Sequence, residues 1–71
     1  MNKVQIGNYA GIVWRTLHEK GHLSFEDLQR ETLLDAESLF MAIGWLTRED
    51  KISIDEQSIA TYFYVYQEKY Y

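Results

Sequence analysis

The clearest pattern of apolar and polar positions lies in residues 35–51. Apolar residues recur there at spacings of three and four, which places one set on a single helical face: Leu39, Ala42, Ile43 and Leu46. Asp35 precedes this set, where an N-cap is expected, and Arg48 and Lys51 bring positive charge to the last turn. The pattern therefore predicts a helix over residues 35–51.

A second helical stripe follows a lead-in of residues 1–5. One face carries Ile6, Ala10, Val13 and Leu17, flanked by Tyr9 and Trp14. Gly21 follows Lys20 and is predicted to end this helix, because glycine readily adopts positive φ. Gly7 and Gly11 either admit close approach of another element or only weaken the helix, each by about 1 kcal/mol relative to alanine.

A short helix is predicted between these two, over Phe25–Thr32. Ser24 and Asp27 have nearly the spacing and chemistry of a capping box at its start. Leu23 is expected to form one or two residues of strand just before the cap. Residues 32–34 make the turn into the next helix, with at least one leucine directed inward.

After Lys51 the pattern changes to alternation, which is typical of β-strands. Ile52 and Ile54 alternate with polar residues, residues 55–58 form a polar turn, and a second strand starts at Ile59. Two-residue periodicity separates two sets of side chains onto opposite faces: Ile59, Thr61, Phe63 and Val65 against Tyr62, Tyr64 and Tyr66. Residues 67–71 are predicted to be a frayed tail.

The predicted order is helix, short strand, helix, turn, helix and hairpin. This is the α+β order of a winged helix-turn-helix, in which three helices precede a C-terminal β-hairpin wing. A chain of 71 residues has the length of one small domain, so residues 1–71 are interpreted as a single winged helix-turn-helix domain.

Composition narrows the possible chemistry. The chain has no cysteine, which excludes disulfides, thiolate metal sites and thiol catalysis. His18 and His22 have the spacing of a helical metal pair, but Gly21 interrupts the helix between them, so we expect no metal and no other cofactor. Catalytic motifs are absent, which predicts a non-enzymatic protein. A cytoplasmic location is expected because no signal-peptide or membrane-spanning pattern is present.

Two segments resemble a known family. Residues 44–52, GWLTREDKI, resemble a GWLxREdKI signature, and residues 20–28 resemble a KGxLSxxxL entry to the second helix. Both segments are similar to those of a family of small bacterial and archaeal winged helix-turn-helix domains of unknown function. The resemblance covers nearly the whole chain. It implies the winged-helix fold and, by analogy, DNA binding or protein association, and it implies no catalytic residues.

In a DNA-binding winged helix the third helix enters the major groove. The residues that could contact DNA here are Ser38, Thr47, Arg48 and Lys51. The same helix carries Glu37, Phe40 and Met41, and the predicted wing turn carries two carboxylates and no cation. The net charge of −4, without a basic cluster, is unfavourable for contact with phosphates. A direct DNA-binding regulator is therefore the alternative function.

Protein association is the function that the sequence favours. The candidate interface is apolar and aromatic, as interface cores are: Phe40, Met41, Trp45, Tyr62, Tyr64 and Tyr66. For Trp45 the competing interpretation is burial beneath the wing. A chain of this size cannot bury all of these side chains, so aromatic surface should remain for a partner. A second copy, in a two-fold homodimer, is the simplest partner.

Overall fold

The computed structural model of the chain describes residues 1–66. Its elements follow the predicted order: α1 (Lys3–Lys20), β1 (Leu23–Ser24), α2 (Phe25–Thr32), α3 (Ala36–Arg48), β2 (Ile52–Glu56) and β3 (Thr61–Val65). The winged helix-turn-helix architecture is thereby confirmed. The tail predicted at residues 67–71 lies outside the described residues. Within that described part, none of the helices combines the length and apolar character needed to cross a membrane.

Helix α1 begins three residues before its apolar stripe because Asn2 caps it. The Asn2 side chain accepts the N–H of Gln5 at 2.9 Å, and the Gln5 side chain accepts the N–H of Asn2 at 3.0 Å. This reciprocal capping box satisfies two backbone donors at the helix start. The prediction of a non-helical lead-in over residues 1–5 is therefore wrong from Lys3 onward.

The C-terminal end of α1 is set by Gly21, as predicted. Gly21 has a φ of 88°, and its N–H donates to the Leu17 carbonyl at 2.8 Å. That backbone geometry is accessible to glycine and strained for other residues. The turn places β1 beside the C-terminal end of α1.

The helix-turn-helix unit is defined by two side-chain caps. The Ser24 hydroxyl accepts the N–H of Asp27 at 3.1 Å at the start of α2, and the Asp35 carboxylate accepts the N–H of Ser38 at 2.8 Å at the start of α3. Both caps were predicted, because Ser and Asp satisfy the otherwise unpaired N–H groups of a first helical turn.

Between α2 and α3 the chain turns through a left-handed residue. Leu33 has a φ of 61°, and its N–H donates to the Gln29 carbonyl at 2.9 Å. Its side chain is 88% exposed, whereas Leu34 packs against the core. One inward leucine was predicted at this turn, and Leu34 confirms it.

Helix α3 ends at Arg48, three residues earlier than predicted. Asp50 takes a φ of 57°, the Lys51 N–H donates to the Leu46 carbonyl at 2.9 Å, and the Asp50 N–H donates to the Thr47 carbonyl at 3.1 Å. These paired bonds form a Schellman-type termination. Lys51 therefore lies in the turn that leads to β2 and not in the last turn of α3.

The sheet is antiparallel, with strand order β1-β3-β2. Phe63, on the central strand, is opposite Leu23 of β1 and Ile54 of β2. Phe63 is buried, which confirms the predicted separation of the two faces of β3.

The wing turn is shifted two residues from its predicted position. Asp55 and Glu56 pair with β3 as part of β2, and residues 57–60 form the turn, closed by the Gln57 N–H donating to the Ala60 carbonyl at 2.9 Å. Ile59, predicted to begin the second strand, is therefore a turn residue and is 87% exposed. Polar composition placed the turn too early because polar side chains are also tolerated at the end of β2, where Asp55 is half-buried and Glu56 is exposed.

The core lies between the three helices and the inner face of the sheet. It is formed by Ala10, Val13, Leu17, Leu28, Leu39, Ala42, Ile43, Leu46, Ile52 and Phe63. The α1 and α3 stripes supply most of these residues, as the sequence predicts. Their burial fixes the rotation of α3 and hence the side chains that it presents outward.

Candidate interaction site

The outward face of α3 is apolar at positions where a DNA-reading helix is polar. Phe40 is 61% exposed, Met41 43% and Trp45 40%. Glu37 and Arg48 are the exposed charged residues of this helix. The large apolar side chains cannot turn inward without exposing the buried stripe on the opposite face of α3.

Phe40 forms one wall of a hollow between α3 and the wing. Its ring stacks on that of Phe25, with the ring centroids 4.3 Å apart and the planes inclined by 23°. The hollow has a volume of about 530 Å³, and we call it the α3–wing hollow; its lining is Phe25, Glu26, Phe40, Ile59, Ala60, Thr61 and Phe63. Ile59 is almost fully exposed at its edge.

The charges around the α3–wing hollow are acidic. Glu26 is the charged residue of its lining, and none of the lining residues is basic. The wing contributes Asp55 and Glu56 on β2, and the Gln57 side-chain amide donates to Asp55 Oδ2 at 3.1 Å. Phosphate groups approaching this concavity would meet apolar side chains and carboxylates, which is unfavourable for binding DNA.

The residues predicted as DNA contacts are placed in different environments. Ser38 is 6% exposed and belongs to the buried side of α3. The Thr47 hydroxyl donates to the Ile43 carbonyl at 2.7 Å, and its side chain is half-buried. Arg48 is exposed on α3, and Lys51 is exposed beyond the end of the helix. Of the four, Arg48 alone is exposed on α3.

Two carboxyl groups have lowered pKa values, and both belong to helix caps. The Ser38 hydroxyl and N–H stabilise the charged form of Asp35 and lower its pKa. Hydrogen bonding to Ser24, with a smaller contribution from Arg30, lowers the pKa of Asp27. Capping accounts for both shifts, so they do not indicate a reactive site. Within residues 1–66 no group of three or more potential metal ligands occurs.

The predicted row of tyrosines lies on the other side of the sheet. Because Phe63 faces the core, its neighbours Tyr62 and Tyr64 lie on the opposite face of β3. Tyr64 stacks on His22, with ring centroids 4.4 Å apart and planes inclined by 16°. Tyr62 and Tyr64 are half-buried, and Tyr66 is 54% exposed. The structure therefore does not join the tyrosines and the outward face of α3 into one surface.

Trp45 lies in a groove between α1 and α3 and not beneath the wing. We call this the α1–α3 groove; it has a volume of about 600 Å³ and is lined by Gly7, Ala10, Gly11, Trp14, Arg15, Trp45, Leu46, Glu49 and Lys51. The Trp14 ring stacks on His18, with centroids 4.8 Å apart and planes inclined by 8°. A Cβ atom built on Gly7 or Gly11 would meet no atom within 4 Å. The packing of this chain therefore does not require either glycine.

Sequence reasoning missed Phe25 and Ile59 as members of the α3–wing hollow. Phe25 shares a face of α2 with the buried Leu28, which predicts a core residue. Ile59 is β-branched and continues the alternation of β3, which predicts a strand residue. Neither position has a local signal for the site, because the hollow forms only when α2, α3 and the wing turn come together.

Comparison with known proteins identifies a structural relative and a family. The chain is similar to the protein BT2368 from Bacteroides thetaiotaomicron, whose solution NMR structure superimposes with a TM-score of 0.83 at 31% sequence identity, covering 100% of this chain and 95% of that one. No functionally curated protein matches the sequence. The model of one family matches residues 1–65. The chain therefore belongs to the family described as Winged helix-turn-helix domain (DUF2582).

Proposed function

We propose that this chain is a non-enzymatic winged-helix protein-interaction module that associates with a second copy of itself through the α3–wing hollow. The observation that supports this most directly is the exposure of Phe40 (61%) and Ile59 (87%) around an apolar concavity with no basic lining residue. Exposed apolar patches of this kind mark interaction surfaces in soluble proteins. Aromatic residues are enriched in the cores of such interfaces.

A second copy suits this surface because the surface is self-complementary. Ile59 protrudes beside a hollow of about 530 Å³ on the same molecule. A two-fold axis near the hollow would let Ile59 of each copy enter the hollow of the other and contact the stacked Phe25 and Phe40 rings. Glu26 and Glu56 would remain at the rim, where charged residues are tolerated in interfaces.

The competing function, direct DNA binding, is supported by the fold and by Arg48 on the outward face of α3. It is opposed by the chemistry of the surface that would approach DNA. Glu26 and Glu37 are exposed on the two helices of the helix-turn-helix, and Asp55 and Glu56 lie on the wing. Because phosphate neutralisation supplies most of the affinity of non-specific DNA binding, protein association is the better-supported function.

Size-exclusion chromatography with light scattering over a concentration series tests the proposal. We expect a species near twice the chain mass of 8.5 kDa. Ile59→Glu should raise the Kd of the dimer by at least about tenfold, because it places a carboxylate in the apolar hollow of the partner. Since Ile59 is almost fully exposed, circular dichroism of the variant should match that of the unsubstituted chain.

Leu33→Glu is the matched control, because Leu33 is similarly exposed and receives the same charge change outside the hollow. This control should keep the dimer. A monomer at concentrations up to about 1 mM, or equal dissociation by both variants, would contradict self-association through this hollow. Micromolar binding to duplex DNA that weakens steeply with salt would instead support the DNA-binding function.

A further inference from the structure

We propose that the α1–α3 groove is a binding site for a small aromatic carboxylate. The groove lies on a different flank of α3 from the α3–wing hollow, and the proposal does not depend on self-association. Its volume of about 600 Å³ falls within the range of pockets that bind small organic molecules. Such pockets combine a largely apolar lining with a few charged or polar groups that fix the orientation of the ligand.

The aromatic part of the ligand is inferred from the walls of the groove. Trp14 and Trp45 are the only two tryptophans of the chain, and both line it. The Trp14 indole stacks on the His18 ring, which restricts the orientation of the indole. Trp45 is 40% exposed although tryptophan is among the largest side chains. A flat aromatic ring can pack against both indoles in offset or edge-to-face geometry.

The negative charge of the ligand is inferred from the cations of the groove. Arg15 and Lys51 line it, against the single carboxylate of Glu49. Within residues 1–66 neither cation forms an ion pair; the ion pair found there joins Arg30 to Asp27. Two cations on a largely apolar groove, in a chain of net charge −4, favour an organic anion. A guanidinium matches a carboxylate in two parallel hydrogen bonds.

The space for the ligand is provided by Gly7 and Gly11. The side chain of another residue would occupy the groove at these positions, yet nothing in the chain itself fills that space. Glycine is the least favourable residue of a helix interior apart from proline. Two residues that weaken α1 therefore lie where they leave the groove open, which is consistent with an occupant from outside the chain.

Nuclear magnetic resonance of the ¹⁵N-labelled chain tests the proposal directly. The probes are indole-3-acetate and its neutral amide, indole-3-acetamide, which differ in charge and little in shape. The indole N–H signals of Trp14 and Trp45 report on the groove without other tryptophan signals. We expect saturable shifts of both signals with the carboxylate, with a Kd of about 1 mM or lower for a ligand of this size. The amide should bind about two- to fivefold more weakly.

Substitutions separate charge from shape. The double variant Arg15→Gln, Lys51→Gln should remove the preference for the carboxylate, whereas Arg48→Gln, outside the groove, should keep it. The double variant Gly7→Ala, Gly11→Ala should stabilise the chain by about 2 kcal/mol, raise the thermal midpoint by about 8–16 °C and weaken ligand binding. Gly44→Ala is its matched control: Gly44 lies in α3 with no atom near its Cβ position, so binding should persist.

Three results would overturn the proposal. The first is the absence of saturable shifts of the two indole signals at about 10 mM carboxylate. The second is equal affinity for carboxylate and amide. The third is unchanged binding in the alanine double variant of α1. The dimer assay with Ile59→Glu is read independently, so failure of either proposal leaves the other distinguishable.

Discussion

Replacing Leu33 by glycine should stabilise this protein, although it removes a large apolar side chain. Leu33 holds a φ of 61° in the turn between α2 and α3. Left-handed backbone geometry brings the Cβ of an L-residue close to the following carbonyl, at a cost of about 1–2 kcal/mol. Glycine has no Cβ and adopts this geometry without the clash.

The expected gain follows from three contributions. Relief of the left-handed geometry contributes about 1.5 kcal/mol, and the greater freedom of glycine in the unfolded chain removes about 0.75 kcal/mol of it. Because the Leu33 side chain is 88% exposed, the burial lost is worth about 0.3 kcal/mol. The net stabilisation is about 0.5 kcal/mol, which raises the thermal midpoint by about 2–4 °C for a domain of this size.

Urea and thermal unfolding followed by circular dichroism measure this change. Leu33→Ala is the control, because alanine removes the same apolar atoms and keeps the Cβ that causes the clash. We expect Leu33→Gly to be more stable than Leu33→Ala, and Leu33→Ala to be slightly less stable than the unsubstituted chain. If the glycine variant were no more stable than the alanine variant, the left-handed strain inferred at Leu33 would be refuted.

Two further substitutions test the caps and the core. Hydrogen bonds from Ser38 lower the pKa of Asp35 below its usual 3.8. The charged carboxylate therefore stabilises the folded chain at pH values above the pKa that Asp35 has in the unfolded chain. This stabilisation is lost as the pH falls through the pKa of Asp35 in the folded chain. Asp35→Asn keeps a capping oxygen, so the free energy of unfolding of this variant should resemble that of the unsubstituted chain at pH 7. Between about pH 4 and about pH 2 its free energy of unfolding should fall less than that of the unsubstituted chain. An equal fall in both proteins would count against this role of Asp35. Leu39→Ala, at a fully buried site, should lower the free energy of unfolding by about 2–5 kcal/mol out of a total of about 4–10 kcal/mol, which urea unfolding detects as a lower midpoint. The same change at the exposed Leu33 should alter the midpoint very little.

The regular elements could be read from the sequence because their signals are local. The i, i+3, i+4 stripe of α3 and the caps at Ser24 and Asp35 involve residues within one helical turn of each other. The same holds for the stop at Gly21, where glycine is required by a positive φ. The helix start at Asn2 was missed although its capping pair is local, because the apolar stripe begins three residues later.

The site could be predicted only in part. Phe40, Met41 and Trp45 were expected on the outward side of α3, since the opposite side is a complete apolar stripe. The structure assigns Phe40 and Trp45 to different concavities, one against the wing and one against α1. Helical periodicity gives the direction in which a side chain leaves the axis of its helix, but it contains no information about which neighbouring element that side chain contacts.

By itself the sequence determined the order and type of the elements, the buried stripes and the acidic character of the chain, because these follow from periodicity, capping and composition. Only the tertiary structure decided that Ile59 protrudes beside the Phe25–Phe40 stack, and that Gly7, Gly11, Trp14 and Trp45 form one open groove. The physical reason is the sequence separation of the contacting residues. These surfaces arise where α1, α2, α3 and the wing pack together, and their relative placement is set by burial of the common core rather than by any local pattern.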